Sequence, residues 1–268
     1  MNKKRVLILI GIILLVGWTA FWFYDYSKDT ATKKDADLYK TVMARGYVIV
    51  GVKTDAKPFG FIENGANAGF DVDMAHHIAK ELFHDGSKVK FVPVTDRDRF
   101  VKLNSDQVDM VIATITITPK RQQVAAFSNA YYITGQALLV KAGSPIKSLA
   151  DLSNKNVGVI FGSTAEDTIK FLLPTAHVLG YRSYDDAYSA LKSGLILGIT
   201  SDDAILRSYS MRDSSVKILP KRYSRDSYGI AFRIGSESDY MMSVVNSVIS
   251  DMDNRGVFNQ MRQKWNLD

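Results

Sequence analysis

Leu103-Asn-Ser-Asp-Gln-Val-Asp-Met-Val-Ile-Ala-Thr114 is echoed later in the chain by Leu191-Lys-Ser-Gly-Leu-Ile-Leu-Gly-Ile-Thr-Ser-Asp202. Both read Leu-x-Ser-x-x-(Val/Ile)-x-x-(Val/Ile), the pattern of a helix end, a turn and a strand. Around each copy, short β-rich runs alternate with amphipathic helical ones. Before the first lie Tyr47 to Lys53, a helix from about Asp71 to Phe83, Lys88 to Val94 and a short helix near Arg97 to Leu103, leading to the strand Val108 to Ala113. After Thr134 come Ala137 to Lys141, Asn156 to Ile160, helices at Thr164 to Leu173 and Asp186 to Lys192, Ile196 to Thr200, and a helix after Asp202. The chain closes with a strand at Tyr228 to Phe232 and helices at Asp239 to Asn254 and Val257 to Trp265. Alternating strands and helices predict an α/β fold whose mostly parallel sheets are covered on both faces. One echoed unit is expected in each of two lobes. Open α/β sheets bind ligands at the carboxyl ends of their strands, which nominates Thr114 to Arg121 and Thr200 to Asp203. Any two helix–strand units look alike at this level, so the echo needs independent support.

Composition agrees with a folded chain that has room for two lobes: 268 residues, 46% hydrophobic and 23% charged. Lys and Arg outnumber Asp and Glu by 34 to 28, but six of the basic residues fall in Met1 to Asp37. The mild bias elsewhere, with no basic stripe interleaved with aromatics, argues against a nucleic-acid partner. Cysteine is absent, which excludes disulfides, a thiol nucleophile and a cysteine-based metal site. His76, His77, His84 and His177 show no metal spacing, and there is no G-x-S-x-G, Walker or dinucleotide fingerprint, so neither metal nor cofactor is expected.

The amino terminus predicts a compartment. Lys3, Lys4 and Arg5 precede eighteen uncharged residues, Val6 to Phe23, about 27 Å as a helix. The run ends in Trp18-Thr-Ala-Phe-Trp-Phe-Tyr24, with rings where a signal peptidase needs small residues and where a membrane interface favours them. Residues 1–24 are therefore read as an uncleaved membrane anchor, 25–37 as a solvated linker, and the remainder as exported by the positive-inside rule.

Two charged groups flank the predicted cleft. Thr118 can cap a helix beginning at Pro119, which sets Arg121 in its first turn, and free N–H groups beside a guanidinium suit a carboxylate. Thr114 and Thr116 alternate on the strand before it. In the other lobe, Asp202 ends a strand and can take an ammonium group, although an Asp before a helix is also an ordinary N-cap.

Further segments carry a family resemblance. Gly69-Phe-Asp-Val-Asp-Met-Ala75, together with Arg45 to Val52, Pro58-Phe59, Ile115 to Gln122, Ala126 to Tyr132, Ser148 to Leu152 and Tyr228 to Phe232, resembles the polar-amino-acid family of periplasmic binding proteins, in order over about Leu38 to Leu267. The resemblance implies a two-lobed type II periplasmic-binding-protein fold, with lobe one at 38–130 and 229–268, lobe two at 136–223, and hinges at 131–135 and 224–228. It implies that Arg121 and the backbone near Thr116 hold a ligand carboxylate, that Asp202 and Thr114 hold its ammonium, and that Phe161 to Thr164, with Ser163 and Thr164 as contacts, closes over it. Lys53 and Arg99 match positions that face the ligand side chain, which points to glutamate or aspartate, with glutamine as the alternative. Asp55, Asp96 and Asp98 nearby offer the same two cations competing partners. An aromatic clamp is missing at Ala56 and Asp96, and Phe161 is its expected substitute. The implied role is that of a monomer outside the cytoplasmic membrane delivering an amino acid to ABC permease subunits. A sensing domain for a separate receptor and a dehydratase of the same fold are the competing classes.

Overall fold

A computed structural model describes residues 18–19 and 37–267. Two five-stranded sheets organise it. The first runs Val89–Pro93, Val48–Val52, Met110–Val111, Ala231–Phe232, Ala126–Phe127, and the second His177–Tyr181, Asn156–Ile160, Gly198–Asp202, Gln136–Lys141, Val216–Ile218. In each, three parallel strands are followed by antiparallel ones. The two echoed segments supply the central strand of each sheet. Met110–Val111 lies between Val48–Val52 and Ala231–Phe232, and Gly198–Asp202 between Asn156–Ile160 and Gln136–Lys141.

These runs are strands because both faces find cover. Val48, Val50 and Val52 are fully buried, and every residue of Gly198–Asp202 is buried, the continuous pattern of a sheet packed on two sides. The helix Phe70–Phe83 buries Phe70, Met74, Ile78 and Leu82, a four-residue spacing that makes one apolar stripe. Ser236–Asn254 packs against this helix and Leu38–Arg45 through Met241, Val245, Val248 and Met252. Asp37, read as linker, is instead the N-cap of Leu38–Arg45, accepting from Tyr39 N at 2.9 Å.

The chain passes between the sheets on two adjacent strands, Tyr132–Thr134 and Asp226–Tyr228, which pair antiparallel with Ile133 opposite Ser227. The expected strand Tyr228 to Phe232 is thus two, broken around Gly229, where a side chain would press on Ile117 Cδ1 at 2.8 Å. Two edge strands, His177–Tyr181 and Val216–Ile218, and a small sheet of Asp55–Ala56, Gly60–Glu63 and Ala66–Ala68 were not anticipated. Apart from Trp18 and Thr19, the anchor call over Val6 to Phe23 lies outside the described residues. Among the described residues no helix is long and apolar enough to cross a membrane.

Candidate functional site

Beyond Met110–Val111 the chain turns through Thr114, whose φ of 50° is left-handed. That turn is held by Asp71: one carboxylate oxygen accepts the Thr114 N–H at 2.9 Å and the other the Tyr131 hydroxyl at 2.9 Å. Burial pushes the Asp71 carboxyl up to about 7. Thr118 caps the short helix Pro119–Gln122 as anticipated, accepting Arg121 N at 3.2 Å. The guanidinium turns inward, only 9% exposed. Its Nη1 donates to the carbonyl of buried Thr116 at 2.9 Å and its Nη2 to the carbonyl of Gly162, in the other lobe, at 3.2 Å. Burial, and after it the neighbouring Arg99 charge, lower the Arg121 pKa to about 10.

Lys53 and Arg99, 1% and 0% exposed, lie in the same lobe. Both pair with Asp96: the Lys53 ammonium bonds one oxygen, and Arg99 Nη1 lies 3.0 Å from the other while also donating to the Ala113 carbonyl at 2.9 Å. Lys53 Nζ is also 3.2 Å from Asp55. Burial alone raises the Asp96 carboxyl, but Lys53 and Arg99 outweigh it and hold it at about 2. Burial opposes the Lys53 charge, yet Asp96 and Asp55 leave its pKa above the ordinary lysine value. The competing acids Asp96 and Asp55 pair with the two cations in the protein interior, while Arg99 Nε and Nη2 keep no protein hydrogen-bond partner among the described residues.

From the second lobe Asp202 enters at the end of Gly198–Asp202, 7% exposed. It stands at the N-cap position of Asp203–Arg212 but makes no side-chain cap bond, so it is not an ordinary N-cap. One oxygen accepts Gln136 Nε2 at 2.7 Å and the other the Tyr228 hydroxyl. Burial raises its carboxyl to about 7, against the Tyr228 hydrogen bond. Thr164 Oγ1 accepts from the same Gln136 amide at 3.3 Å. Gly162, at φ +81°, lies so close to lobe one that an added Cβ would meet the Asp96 carbonyl oxygen at 2.8 Å. Phe161, the expected substitute for the clamp, turns its ring to the sheet of its own lobe. It is 40% exposed and its ring lies over Gly180. The aromatic facing the charges is Tyr184, buried, with Lys53 Nζ 5.1 Å from its ring centre and its hydroxyl 2.9 Å from Ser201 Oγ.

The structure thus brings Lys53, Arg99, Thr114, Thr116, Arg121, Ser163, Thr164 and Asp202 to one interlobe region. Gln136, Tyr184, Tyr228 and Asp96 join them without having been nominated. Six buried side-chain polar atoms lack a protein partner among the described residues, and four of them are here: Arg99 Nε and Nη2, Ser163 Oγ and Gln136 Oε1. Buried polar groups are normally satisfied, so such a concentration makes this region the candidate site. Among the described residues no cluster of three or more His, Asp or Glu could hold a metal ion.

A glutamine-binding protein of an ABC transporter from Bacillus subtilis is 31% identical over 268 residues, covering 99% of this chain and 97% of the relative. A glutamine-binding protein from Geobacillus stearothermophilus is 35% identical over 227 residues, covering 83% and 86%. The solved structure of an ancestral arginine-binding protein bound to glutamine superposes with a TM-score of 0.76 at 38% identity, over 82% of this chain and 98% of that one. With the family model matched over residues 48–268, the chain belongs to the bacterial extracellular solute-binding proteins, family 3.

Proposed function

We propose that this chain binds a polar, uncharged α-amino acid, glutamine foremost, between its lobes and hands it to an ABC import permease. In this reading Arg121, with the Thr116 backbone, receives the carboxylate, Asp202 and Thr114 the ammonium, and Ser163 and Thr164 close over them from lobe two. The lobes divide at 38–130 with 229–268 and at 136–223, swinging on 131–135 and 224–228; the paired strands Tyr132–Thr134 and Asp226–Tyr228 support that division. The observation that supports the choice of side chain is the charge pairing of Lys53 with Asp96 and Asp55 and of Arg99 with Asp96. Two cations facing two carboxylates leave little net charge to attract an acidic guest, whereas Arg99 Nε and Nη2 still offer donors to an amide carbonyl. The names of the two relatives point the same way. Those free Arg99 donors also favour a second reading, glutamate or aspartate. Calorimetry with glutamine, glutamate, aspartate and arginine tests it: glutamine is expected to bind tightest. Tightest binding to glutamate or aspartate installs the second reading, and no binding of any of the four overturns both.

Residues 1–24 complete the proposal as an uncleaved anchor that keeps the binding domain at the outer membrane face, supported by the aromatic residues between Trp18 and Tyr24. Intact mass of membrane-fractionated protein is expected to match a chain beginning at or near Met1. Loss of about twenty to thirty residues would identify a removed signal instead.

A further inference from the structure

Gln136 opens its strand at the base of the second lobe, 1% exposed and beside the hinge. Its amide nitrogen donates to Asp202 Oδ1 at 2.7 Å, to Thr164 Oγ1 at 3.3 Å and to Asp226 Oδ2 at 3.4 Å. Its backbone N–H donates to Ser224 Oγ at 2.9 Å, and Ser224 Oγ donates to Asp226 Oδ2 at 2.6 Å. This web fixes which end of the amide is which. Exchanging nitrogen and oxygen would set a carbonyl against the Asp202 and Asp226 carboxylates.

The amide oxygen, by contrast, receives no donor from the protein although it is buried. An amide carbonyl has two lone pairs, and a buried one without a donor is uncommon in a folded protein. It is tethered within one side chain of Asp202, the group assigned to the ligand's ammonium. An ammonium has three N–H donors, and the oxygens of Asp202 already accept from Gln136 and Tyr228. We propose that Gln136 is a second acceptor for the ligand ammonium, its Oε1 taking one N–H while its Nε2 holds Asp202 in place for another. The inference rests on the amino-acid-binding reading above and extends it to a residue that neither charge nor the resemblance singled out. It makes recognition of the ammonium a joint act of lobe two and the hinge, because Gln136 reaches Asp202 and Asp226 together.

Three ligands and two proteins test it: glutamine, 4-carbamoylbutanoate (glutamine without its ammonium) and N-methylglutamine, each titrated by competition into wild type and Gln136→Leu. Gln136→Leu is expected to weaken glutamine by about ten- to a hundredfold, the usual range for a hydrogen bond to a charged group. It is expected to leave 4-carbamoylbutanoate within about threefold of wild type, inside the scatter of context effects on single contacts. Methylation removes one N–H, so its penalty is expected to be smaller in the variant than in wild type. Unchanged glutamine affinity overturns the inference, and so does an equal loss for 4-carbamoylbutanoate, which is what a purely structural residue would give. An equal methylation penalty in both proteins assigns Gln136 to holding Asp202 alone and overturns the direct contact. If Gln136→Leu does not fold, Gln136→Met, of similar length and without the amide, carries the same comparison. Wild type that binds none of the amino acids offered defeats the amino-acid reading itself, an outcome separate from any result on the variant.

Discussion

The two central strands begin from the same sequence pattern and end in opposite electrostatic states. Met110–Val111 runs into the left-handed turn at Thr114, braced by Asp71, and leads to Arg121, whose guanidinium donates to one carbonyl of each lobe. Gly198–Asp202 runs directly into a helix and ends on a carboxylate that burial pushes up to about 7. Lobe one offers a receptor assembled in advance, with its other charges paired to one another. Lobe two offers an acid that, among the described residues, forms no ion pair. In the proposed reading an amino acid's ammonium supplies the counter-charge at the second strand end and its carboxylate suits the first, so closure around a zwitterion would serve both.

Removing either charged end is the most severe way to break this comparison. Arg121→Ala and Asp202→Asn are each expected to cost about 2 to 5 kcal/mol of binding, roughly thirtyfold to several thousandfold in Kd. Their effects on the unliganded fold should diverge. An aspartate whose folded pKa lies above its unfolded value holds more protons when folded, so its stability contribution falls as pH rises from about 4 to 7. Asp202→Asn removes that burden and is expected to raise the melting temperature at pH 8, whereas Arg121→Ala, which strips two carbonyls of their donor, is expected to lower it. A drop for both variants would show the two ends to be alike.

Closure is tested next. Gly162→Ala places a methyl against the Asp96 carbonyl oxygen at 2.8 Å and the Arg97 Cα at 3.2 Å, on a backbone with φ of +81°. The left-handed backbone costs about 1 kcal/mol in open and closed states alike, which predicts a modestly lower unliganded melting temperature, and the contact with lobe one adds about 1 to 3 kcal/mol in the closed state only, which predicts roughly five- to 150-fold weaker binding. Small-angle scattering is expected to show less compaction with ligand than in wild type. Full compaction at unchanged affinity would mean that the lobes do not meet at this glycine.

The smallest expected effect is the proton. An ammonium beside Asp202 lowers its raised pKa, so binding at pH 6 should release close to one proton, and affinity should fall by up to about tenfold per pH unit below 7. Asp71, also near 7, is in contact with Thr114 and Tyr131, and Asp71→Asn in parallel separates its share. Calorimetry in buffers of different ionisation enthalpy reads the proton directly; no release at pH 6 would show Asp202 to be ionised before the ligand arrives.

Much of this was legible in the sequence because it is local. The echo gave the two central strands, Thr118-Pro119 gave the cap, and the helix Val257–Trp265 was read to the residue. Arg121 and Asp202 stood out as charges at strand ends, and the resemblance agreed with them. What escaped depends on partners far away in the chain. Gln136 reaches Asp202 across 66 positions and Asp71 reaches Thr114 across 43, and no periodicity announces such pairs. Tyr184 reads as an ordinary residue at a helix start, yet the fold sets its ring against Lys53. His177–Tyr181, at the edge of its sheet, has an exposed first residue and half-buried neighbours, so it lacks the apolar run that marks the central strands.

The two strands that pass between the sheets, Tyr132–Thr134 and Asp226–Tyr228, also set the order in which the molecule can be built. Every strand of the second sheet comes from between residues 136 and 218, whereas the first sheet draws on residues from 48 to 232. Its fourth strand, Ala231–Phe232, is flanked by Met110–Val111 and Ala126–Phe127, so those two stay apart until it inserts. As the chain emerges, the later lobe can close on itself while the earlier one waits with Val50, Met110 and Ile112 unsheltered. The half that begins first is finished last, and the aggregation hazard during export falls on it.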